Sequence, residues 1–139
     1  MEAGNRGADD AGTPTIGLNI ALATEQEPNP YISPELCFQF RYFAIRKLHF
    51  IQRAKALVAF PGGYGTLDEI FDALCLVQTG KVQPIPIILV GPAFWRAAFD
   101  PEFLAAEGVI APDDVKLLHY AETAEEIASY IRHWYEAGT

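Results

Sequence analysis

A short run without polar side chains, Ala56 to Phe60, constrains the fold of this chain more than any other feature. An apolar run of this length is typical of a strand buried on both faces of a parallel sheet. A glycine-rich turn follows, and from Thr66 to Val77 apolar residues recur at helical spacing. Gly80 then provides a helix stop, because glycine tolerates the left-handed conformation that ends many helices. The segment therefore predicts a strand, a tight turn and a helix.

The rest of the chain continues this alternation. Further strands are predicted at 15–20, 85–90 and 116–120, and further helices at 38–55 and 92–106. Thr123 is expected to cap a last helix with one apolar face, formed by Ile127, Tyr130, Ile131 and Trp134. Residues 1–14 are polar and glycine-rich and are assigned no element. A proline-rich connector, Glu27 to Pro34, follows the first strand. The pattern predicts an α/β fold, a parallel sheet flanked by helices, as a single domain over 1–139.

The charge and the cysteines exclude several classes of protein. With 18 acidic and 10 basic residues, the net charge is −8, which argues against a nucleic-acid partner but not against a mononucleotide. Cys37 and Cys75 form no CxxC motif, so no metal site or disulfide is predicted and both are expected to be buried, reduced thiols. No apolar run approaches the ~18 residues of a membrane span, and no signal peptide is recognised. No membrane association is predicted, and the expected location is the cytoplasm.

The glycine turn carries the clearest chemistry. In Pro61-Gly62-Gly63-Tyr64-Gly65-Thr66, backbone N–H groups and the positive end of a helix dipole converge, which suits a phosphate. The turn lacks the Gly-Lys-Ser/Thr ending of a Walker A loop and is not a GxGxxG motif. Thr66-x-x-Glu69 is also the pattern of a capping box, which needs no ligand. A cap needs no three glycines, however, so the pattern favours an anion site.

The same stretch resembles the hallmark of the LOG (Lonely Guy) family, Rossmann-like nucleotide-binding proteins also labelled possible lysine decarboxylases. That hallmark, Pro-Gly-Gly-x-Gly-Thr-x-x-Glu, is matched at every fixed position from Pro61 to Glu69, and a second one, an Arg-Lys pair, is found at Arg46-Lys47. Other stretches are similar to longer members of the family: Met1-Glu2-Ala3 with Asn5-x-Gly7-Ala8, Gly17 to Ile20, Gln26 to Pro30 and Gln78 to Lys81. The resemblance implies a Rossmann-like sheet that lacks the family's first strand–helix–strand unit, because Met1 aligns just after that unit's glycine loop.

The resemblance also implies an activity and a set of site residues. LOG-like proteins are nucleoside 5′-monophosphate phosphoribohydrolases, which release the base and ribose 5-phosphate from AMP or cytokinin nucleotides without a cofactor. Arg46 and Glu69 are then the expected catalytic pair, and the expected phosphate-binding residues are Lys47, Gly62, Gly63, Gly65 and Thr66. A carboxylate beside C1′ would stabilise an oxocarbenium-like sugar, and an arginine would bind the phosphate or the departing base. The alternative for Arg46 is an ion pair on a helix surface. Nothing in the sequence supports pyridoxal phosphate chemistry.

The missing unit leads to two further expectations. The strand at 56–60 should have an open edge, and the helix at 40–54 is apolar on more than one side, through Phe40, Phe43, Ile45, Leu48, Phe50 and Ile51. A homo-oligomer is therefore expected, first of all a two-fold dimer, as LOG-like proteins are. If the truncation abolishes the activity, the alternative function is that of a non-catalytic nucleotide- or phosphate-binding oligomeric protein.

Two aromatic pairs, Phe94-Trp95 and Trp134-Tyr135, are expected in the core. The alternative for Trp95 is a place at the border of a base pocket.

Overall fold

The computed structural model describes residues 2–21 and 27–137. Met1 and Gln26, which belong to the stretches that resemble the LOG family, lie outside the described residues. The chain divides into two compact units, Met1–Arg53 and Ala54–Thr139. Each unit is described by itself.

In its described part, the first unit combines a parallel strand pair with helices. Its elements are α1 (Glu2–Asp10), β1 (Gly17–Ile20), a 3-10 helix (Pro34–Leu36), β2 (Cys37–Phe40) and α2 (Phe43–Arg53). The two strands run parallel in a register that places Gly17 opposite Cys37. Thr15 is buried just before β1, where its hydroxyl donates to the Tyr31 carbonyl over 2.6 Å. This bond ties the start of β1 to the connector that leads to β2.

The second unit is a three-stranded parallel sheet with helices along the chain between and after its strands. Its elements are β3 (Leu57–Ala59), α3 (Tyr64–Gln78), β4 (Ile87–Val90), α4 (Pro92–Ala98), α5 (Pro101–Ala106), a 3-10 helix (Pro112–Leu117), β5 (Leu118–Ala121) and α6 (Ala124–Ala137). The strand order is β3-β4-β5, and both pairings are parallel. The central strand β4 is buried along its whole length, and the fully buried Trp95 donates from Nε1 to the Val90 carbonyl at 2.9 Å.

A hydrogen bond joins the beginning of the second unit to its last helix. The hydroxyl of Tyr135, near the end of α6, donates to the carbonyl of Lys55 at 2.6 Å. Lys55 lies two residues before β3, so the last helix is held against the beginning of the unit's first strand.

Several sequence predictions are confirmed. The predicted strands at 15–20, 56–60, 85–90 and 116–120 correspond to β1, β3, β4 and β5, with shifts of one to two residues at their ends. Gly80 adopts a φ of 65° after α3, and Lys81 N–H donates to the Leu76 carbonyl, so the predicted helix stop is present. Thr123 caps α6, since its hydroxyl accepts from the Glu126 N–H at 3.2 Å. Parallel sheets flanked by helices confirm the α/β, Rossmann-like fold class.

Two predictions for the first 55 residues were wrong. Residues 37–40 form strand β2 where a helix was predicted, and the helix begins only at Phe43. The alternating sequence Cys-Phe-Gln-Phe pairs with β1 and thereby satisfies backbone groups that β1 could not pair alone. Residues 2–10, which were assigned no element, form α1 in spite of two glycines, with a side-chain ion pair between Arg6 and Asp10 at 3.7 Å.

The remaining corrections concern the second unit and the cysteines. The predicted helix at 92–106 is two helices, because Asp100 precedes a proline and is extended, and its side chain then accepts from the Phe103 N–H to cap α5. Phe94 and Tyr135 are 42% and 40% exposed, so only Trp95 and the half-buried Trp134 fit the expected core. Both cysteines are free, but they are exposed and not buried as expected. Cys75 lies off the buried stripe of α3, which is formed by Ile70, Ala73 and Val77.

Candidate functional site

The glycine turn connects the carboxyl end of β3 to the first residue of α3. Ligands of parallel α/β sheets bind at this edge, outside the carboxyl ends of the strands. Gly63 is the N-cap of α3, and its carbonyl accepts from the N–H groups of Thr66 and Leu67, each at 3.1 Å. Helix geometry leaves the N–H groups of Tyr64 and Gly65 without an intrahelical acceptor, so they point beyond the N-terminus. This is the backbone arrangement of an anion site.

The predicted capping box at Thr66 and Glu69 is absent. The N-cap is Gly63, no side chain caps the helix, and Thr66 is already the third residue of α3. The helix begins two residues earlier than predicted because the Gly63 carbonyl accepts the first backbone bonds. A capping box does form at Thr123 and Glu126, where the Glu126 carboxylate accepts from the Thr123 N–H at 3.3 Å. The side chains of Thr66 and Glu69 are therefore not committed to a cap.

The three glycines of the turn lie in different surroundings, so a glycine is required for packing at only one of them. A Cβ on Gly62 would clash with the Thr66 hydroxyl oxygen and lie 2.9 Å from the Thr66 Cβ, so this position needs a glycine for packing. A Cβ on Gly63 or Gly65 would meet nothing within 4 Å, and neither residue has a positive φ. Neither packing nor backbone conformation requires a glycine at these two positions. Open space above a bare backbone does suit the close approach of an anion.

The loops after β3 and β4 lie side by side at this edge of the sheet. Gly91, which follows β4, has a φ of 83°, and a Cβ there would lie 3.6 Å from Cγ of Pro61. Tyr64 projects from the first turn of α3 with 93% of its surface exposed, whereas Glu69 in the second turn is half-buried. The edge thus combines an open glycine turn, an exposed phenol and a partly shielded carboxylate.

Arg46 and Lys47 lie next to each other on α2 of the first unit, and both are half-buried. The Nε of Arg46 donates to the Leu18 carbonyl of β1 at 2.6 Å. This bond uses one of the five N–H groups of the guanidinium and fixes the plane of the head group against the strand. The Arg46 side chain is therefore held against β1 by this bond.

A cleft of about 270 Å³ surrounds this arginine within the first unit. Its polar side chains come from α1, β1, the connector and α2: Glu2, Asn5, Asn19, Glu27, Asn29 and Arg46. Sequence reasoning named only Arg46 among them. Asn5 and Asn29 stood in stretches that resemble the LOG family, but no spacing rule marked them as site residues.

The predicted site residues thus form two groups, one in each unit. Gly62, Gly63, Gly65, Thr66 and Glu69 lie together at the start of α3, and Arg46 and Lys47 lie together on α2. Trp95, the suggested border of a base pocket, is fully buried behind Val90. Within residues 2–21 and 27–137, no group of three His, Cys, Asp or Glu side chains is arranged to hold a metal ion. In that same part of the chain, no helix is long and apolar enough to cross a membrane.

The histidine of β5 packs against an aromatic ring. His119 stacks on Tyr130 of α6, with ring centroids 3.6 Å apart and planes 2° from parallel. Burial lowers the pKa of His119, and the nearby Glu126 carboxylate partly offsets this. The contact explains His119 as a packing residue between β5 and α6.

Comparison with known proteins adds independent findings. Residues 1–131 match the family model described as "Possible lysine decarboxylase". The chain is 30% identical over 97 residues to the cytokinin riboside 5′-monophosphate phosphoribohydrolase LOG of Oryza sativa subsp. japonica, which covers 67% of this chain and 40% of the relative. The probable phosphoribohydrolase LOGL1 of the same plant is 33% identical over 85 residues, 59% of this chain and 37% of the relative. The phosphoribohydrolase LOG3 of Arabidopsis thaliana is 27% identical over 90 residues, which are 64% of this chain and 42% of the relative. The chain spans about two fifths of the length of these relatives.

Proposed function

Because the chain belongs to the possible lysine decarboxylase family, which includes the LOG proteins, we propose that it hydrolyses the N-glycosidic bond of nucleoside 5′-monophosphates. The products are the free base and ribose 5-phosphate. The resemblance on which the sequence analysis rested is confirmed by this membership. The observation that carries the proposal is the open glycine turn at the start of α3, followed one turn later by the Glu69 carboxylate.

The phosphate is proposed to bind at the glycine turn. The N–H groups of Gly63, Tyr64 and Gly65 and the Thr66 hydroxyl supply donors, and the helix dipole favours an anion there by roughly 0.3–1 kcal/mol, more where water is excluded. Lys47 of the first unit is proposed as a further phosphate-binding residue, on the resemblance to the LOG family. The open space above Gly63 and Gly65 supports this placement.

The reaction is proposed to use the two remaining predicted residues. Water adds to C1′ of the ribose while the bond from C1′ to the base nitrogen breaks, and the base leaves with a proton. The Glu69 carboxylate stabilises the positive charge that develops at C1′ and orients the water. The Arg46 guanidinium, held by the Leu18 carbonyl, donates to the departing base.

The proposed substrate is AMP or a cytokinin nucleotide, and the proposed assembly is a two-fold homodimer. Phe43, Ile45 and Leu48 of α2 are 55%, 48% and 50% exposed, an apolar surface that a second copy would cover. The net charge of −8 supports a partner other than a nucleic acid. A cytoplasmic location is proposed because the two free thiols suit a reducing compartment.

The test is release of ribose 5-phosphate from AMP by the purified chain. Glu69→Gln should remove most of the activity and leave the melting temperature within a few degrees, because the amide keeps the size of the carboxylate and removes its charge. Glu125→Gln, an exposed carboxylate on α6, is the matched control and should change neither quantity. Binding of AMP without any release of ribose 5-phosphate would contradict the proposed hydrolase and leave the second function, a non-catalytic nucleotide-binding protein.

A further inference from the structure

The cleft of the first unit has a lining that disfavours a phosphate. Among its described lining residues the charged side chains are Glu2, Glu27 and Arg46, so carboxylates outnumber the single cation. Arg46 is already held by a carbonyl oxygen at 2.6 Å. A phosphate dianion in this cleft would share it with two carboxylates of like charge, an arrangement that raises its energy. A neutral group with hydrogen-bonding edges meets no such penalty.

An oriented pair of side-chain amides provides those hydrogen bonds. The Nδ2 of Asn29 donates to Oδ1 of Asn5 at 3.1 Å, and Oδ1 of Asn29 accepts from the Tyr31 N–H at 3.2 Å. The second bond fixes which end of the Asn29 amide is the oxygen, because only an oxygen can accept from a backbone N–H. Each amide nitrogen carries two N–H groups, and Asn29 uses one of its own for Asn5. The pair can therefore present both donors and an acceptor to a ligand.

All four residues of β1, Gly17 to Ile20, line the cleft. Ala21 N–H donates to the Phe40 carbonyl at 2.8 Å, which sets the direction in which alternate residues of β1 point their backbone groups. In a parallel strand the backbone groups of Asn19 then face β2, and those of Leu18 and Ile20 face the other way. The bond from Arg46 to the Leu18 carbonyl agrees with this alternation. Leu18 and Ile20, which both line the cleft, thus carry backbone groups on the side of β1 away from β2, and a planar heterocycle can pair with such groups.

We infer that this cleft is the subsite for the nucleobase, with Asn29 as the residue that binds its edge and Asn5 as the residue that positions Asn29. The inference rests on the proposed function and deepens it, because it assigns two residues of the first unit to recognition of the base. The cleft has a volume of about 270 Å³, which gives room for the ring system of a nucleobase.

The experiment measures binding of AMP, adenosine and ribose 5-phosphate to the full chain by calorimetry. Asn29→Asp keeps the acceptor for the Tyr31 N–H but removes the donor, and Asn29→Ala removes both. Each substitution should weaken the binding of AMP and adenosine by about 5- to 10-fold, the loss typical of one hydrogen bond. The affinity for ribose 5-phosphate should stay within about two-fold of the unsubstituted chain. Gly65→Ala in the glycine turn should weaken the binding of AMP and ribose 5-phosphate and leave the binding of adenosine unchanged. Gln52→Ala, an exposed amide elsewhere on α2, is the control and should change none of the three.

The outcomes separate the inference from the proposed function. Equal losses for ribose 5-phosphate and AMP in the Asn29 variants, with folding retained by circular dichroism, would overturn the base subsite. Adenosine that does not bind, or binds independently of Asn29, would overturn it as well. Asn29-dependent binding of adenosine by a chain that neither binds ribose 5-phosphate nor hydrolyses AMP would support the base subsite and contradict the proposed hydrolase.

Discussion

Alanine substitutions in the glycine turn should separate packing from ligand binding, position by position. At Gly62 the new methyl group would clash with the Thr66 hydroxyl and lie 2.9 Å from the Thr66 Cβ, against a helix start that cannot shift without breaking its first backbone bonds. At Gly65 the methyl group would extend into open space, and the residue lies in the first turn of α3 with no positive φ. The same chemical change should therefore have opposite effects on stability at positions three residues apart.

The magnitudes follow from the two environments. Overpacking a tight contact costs about 1–3 kcal/mol, so Gly62→Ala should lower the free energy of unfolding by that amount. Alanine in a helix is favoured over glycine by about 0.8–1.0 kcal/mol in the interior, so Gly65→Ala should raise the free energy of unfolding by about 0.5 kcal/mol at a first-turn position. For a chain of 139 residues each kcal/mol corresponds to about 4 °C in melting temperature. We expect Gly62→Ala to melt about 4–12 °C lower than the unsubstituted chain and Gly65→Ala about 2 °C higher.

Tryptophan fluorescence is the suitable assay, because both tryptophans, Trp95 and Trp134, lie in the second unit and report on its unfolding. Thermal melts with and without ribose 5-phosphate then give stability and binding together. Gly65→Ala should be more stable alone and gain less from the ligand, since its methyl group occupies the space above the backbone. A Gly62→Ala variant as stable as the unsubstituted chain would refute the packing argument. Full ligand stabilisation in Gly65→Ala would refute the reading of the open turn as an anion site.

Other predictions test the last helix and the assembly. Thr123→Ala should lower the free energy of unfolding by about 0.5–2 kcal/mol through loss of the cap of α6, measured by denaturant melts against Ser129→Ala as control. Backbone N–H groups of Glu122 and Thr123 lower the pKa of Glu126, so its contribution is present above the ordinary glutamate range and is lost as pH falls through the lowered value. Glu126→Gln should flatten the stability profile below about pH 5, and an unchanged profile would contradict this origin. Light scattering should find a dimer that Leu48→Glu dissociates, and a stable monomer of the unsubstituted chain would exclude the proposed interface.

The sequence predicted those elements whose determinants are local. The apolar run of β3, the left-handed glycine after α3 and the threonine cap of α6 each act within a few residues, and each was found where the pattern placed it. Strand β2 was missed because its state depends on β1, about 20 residues earlier in the chain. Phe38 to Phe40 are compatible with a helix or a strand, and only the parallel partner decides between them.

The candidate site shows the same division. The glycine turn is contiguous in sequence, so its motif could be recognised without a structure. The start of α3 could not, because Thr66 and Gly63 compete for the cap position and the backbone bonds to the Gly63 carbonyl decide it. The amide pair of Asn5 and Asn29 spans 24 residues and has no spacing rule of its own. Non-local hydrogen bonds of this kind become visible only when the connector is folded against α1.

The bond from the Tyr135 hydroxyl to the Lys55 carbonyl brings the beginning and the end of the second unit close together. Its first and last elements meet within one hydrogen bond, so a short linker could join them without disturbing the sheet. New termini could then be opened at the exposed turn between α5 and the following 3-10 helix, where Gly108 and Val109 lie at the surface. A circularly permuted second unit of this design would retain β3, the glycine turn and α3 as one uninterrupted segment. The unit therefore has the connectivity of a module that can be inserted into another protein at a single site.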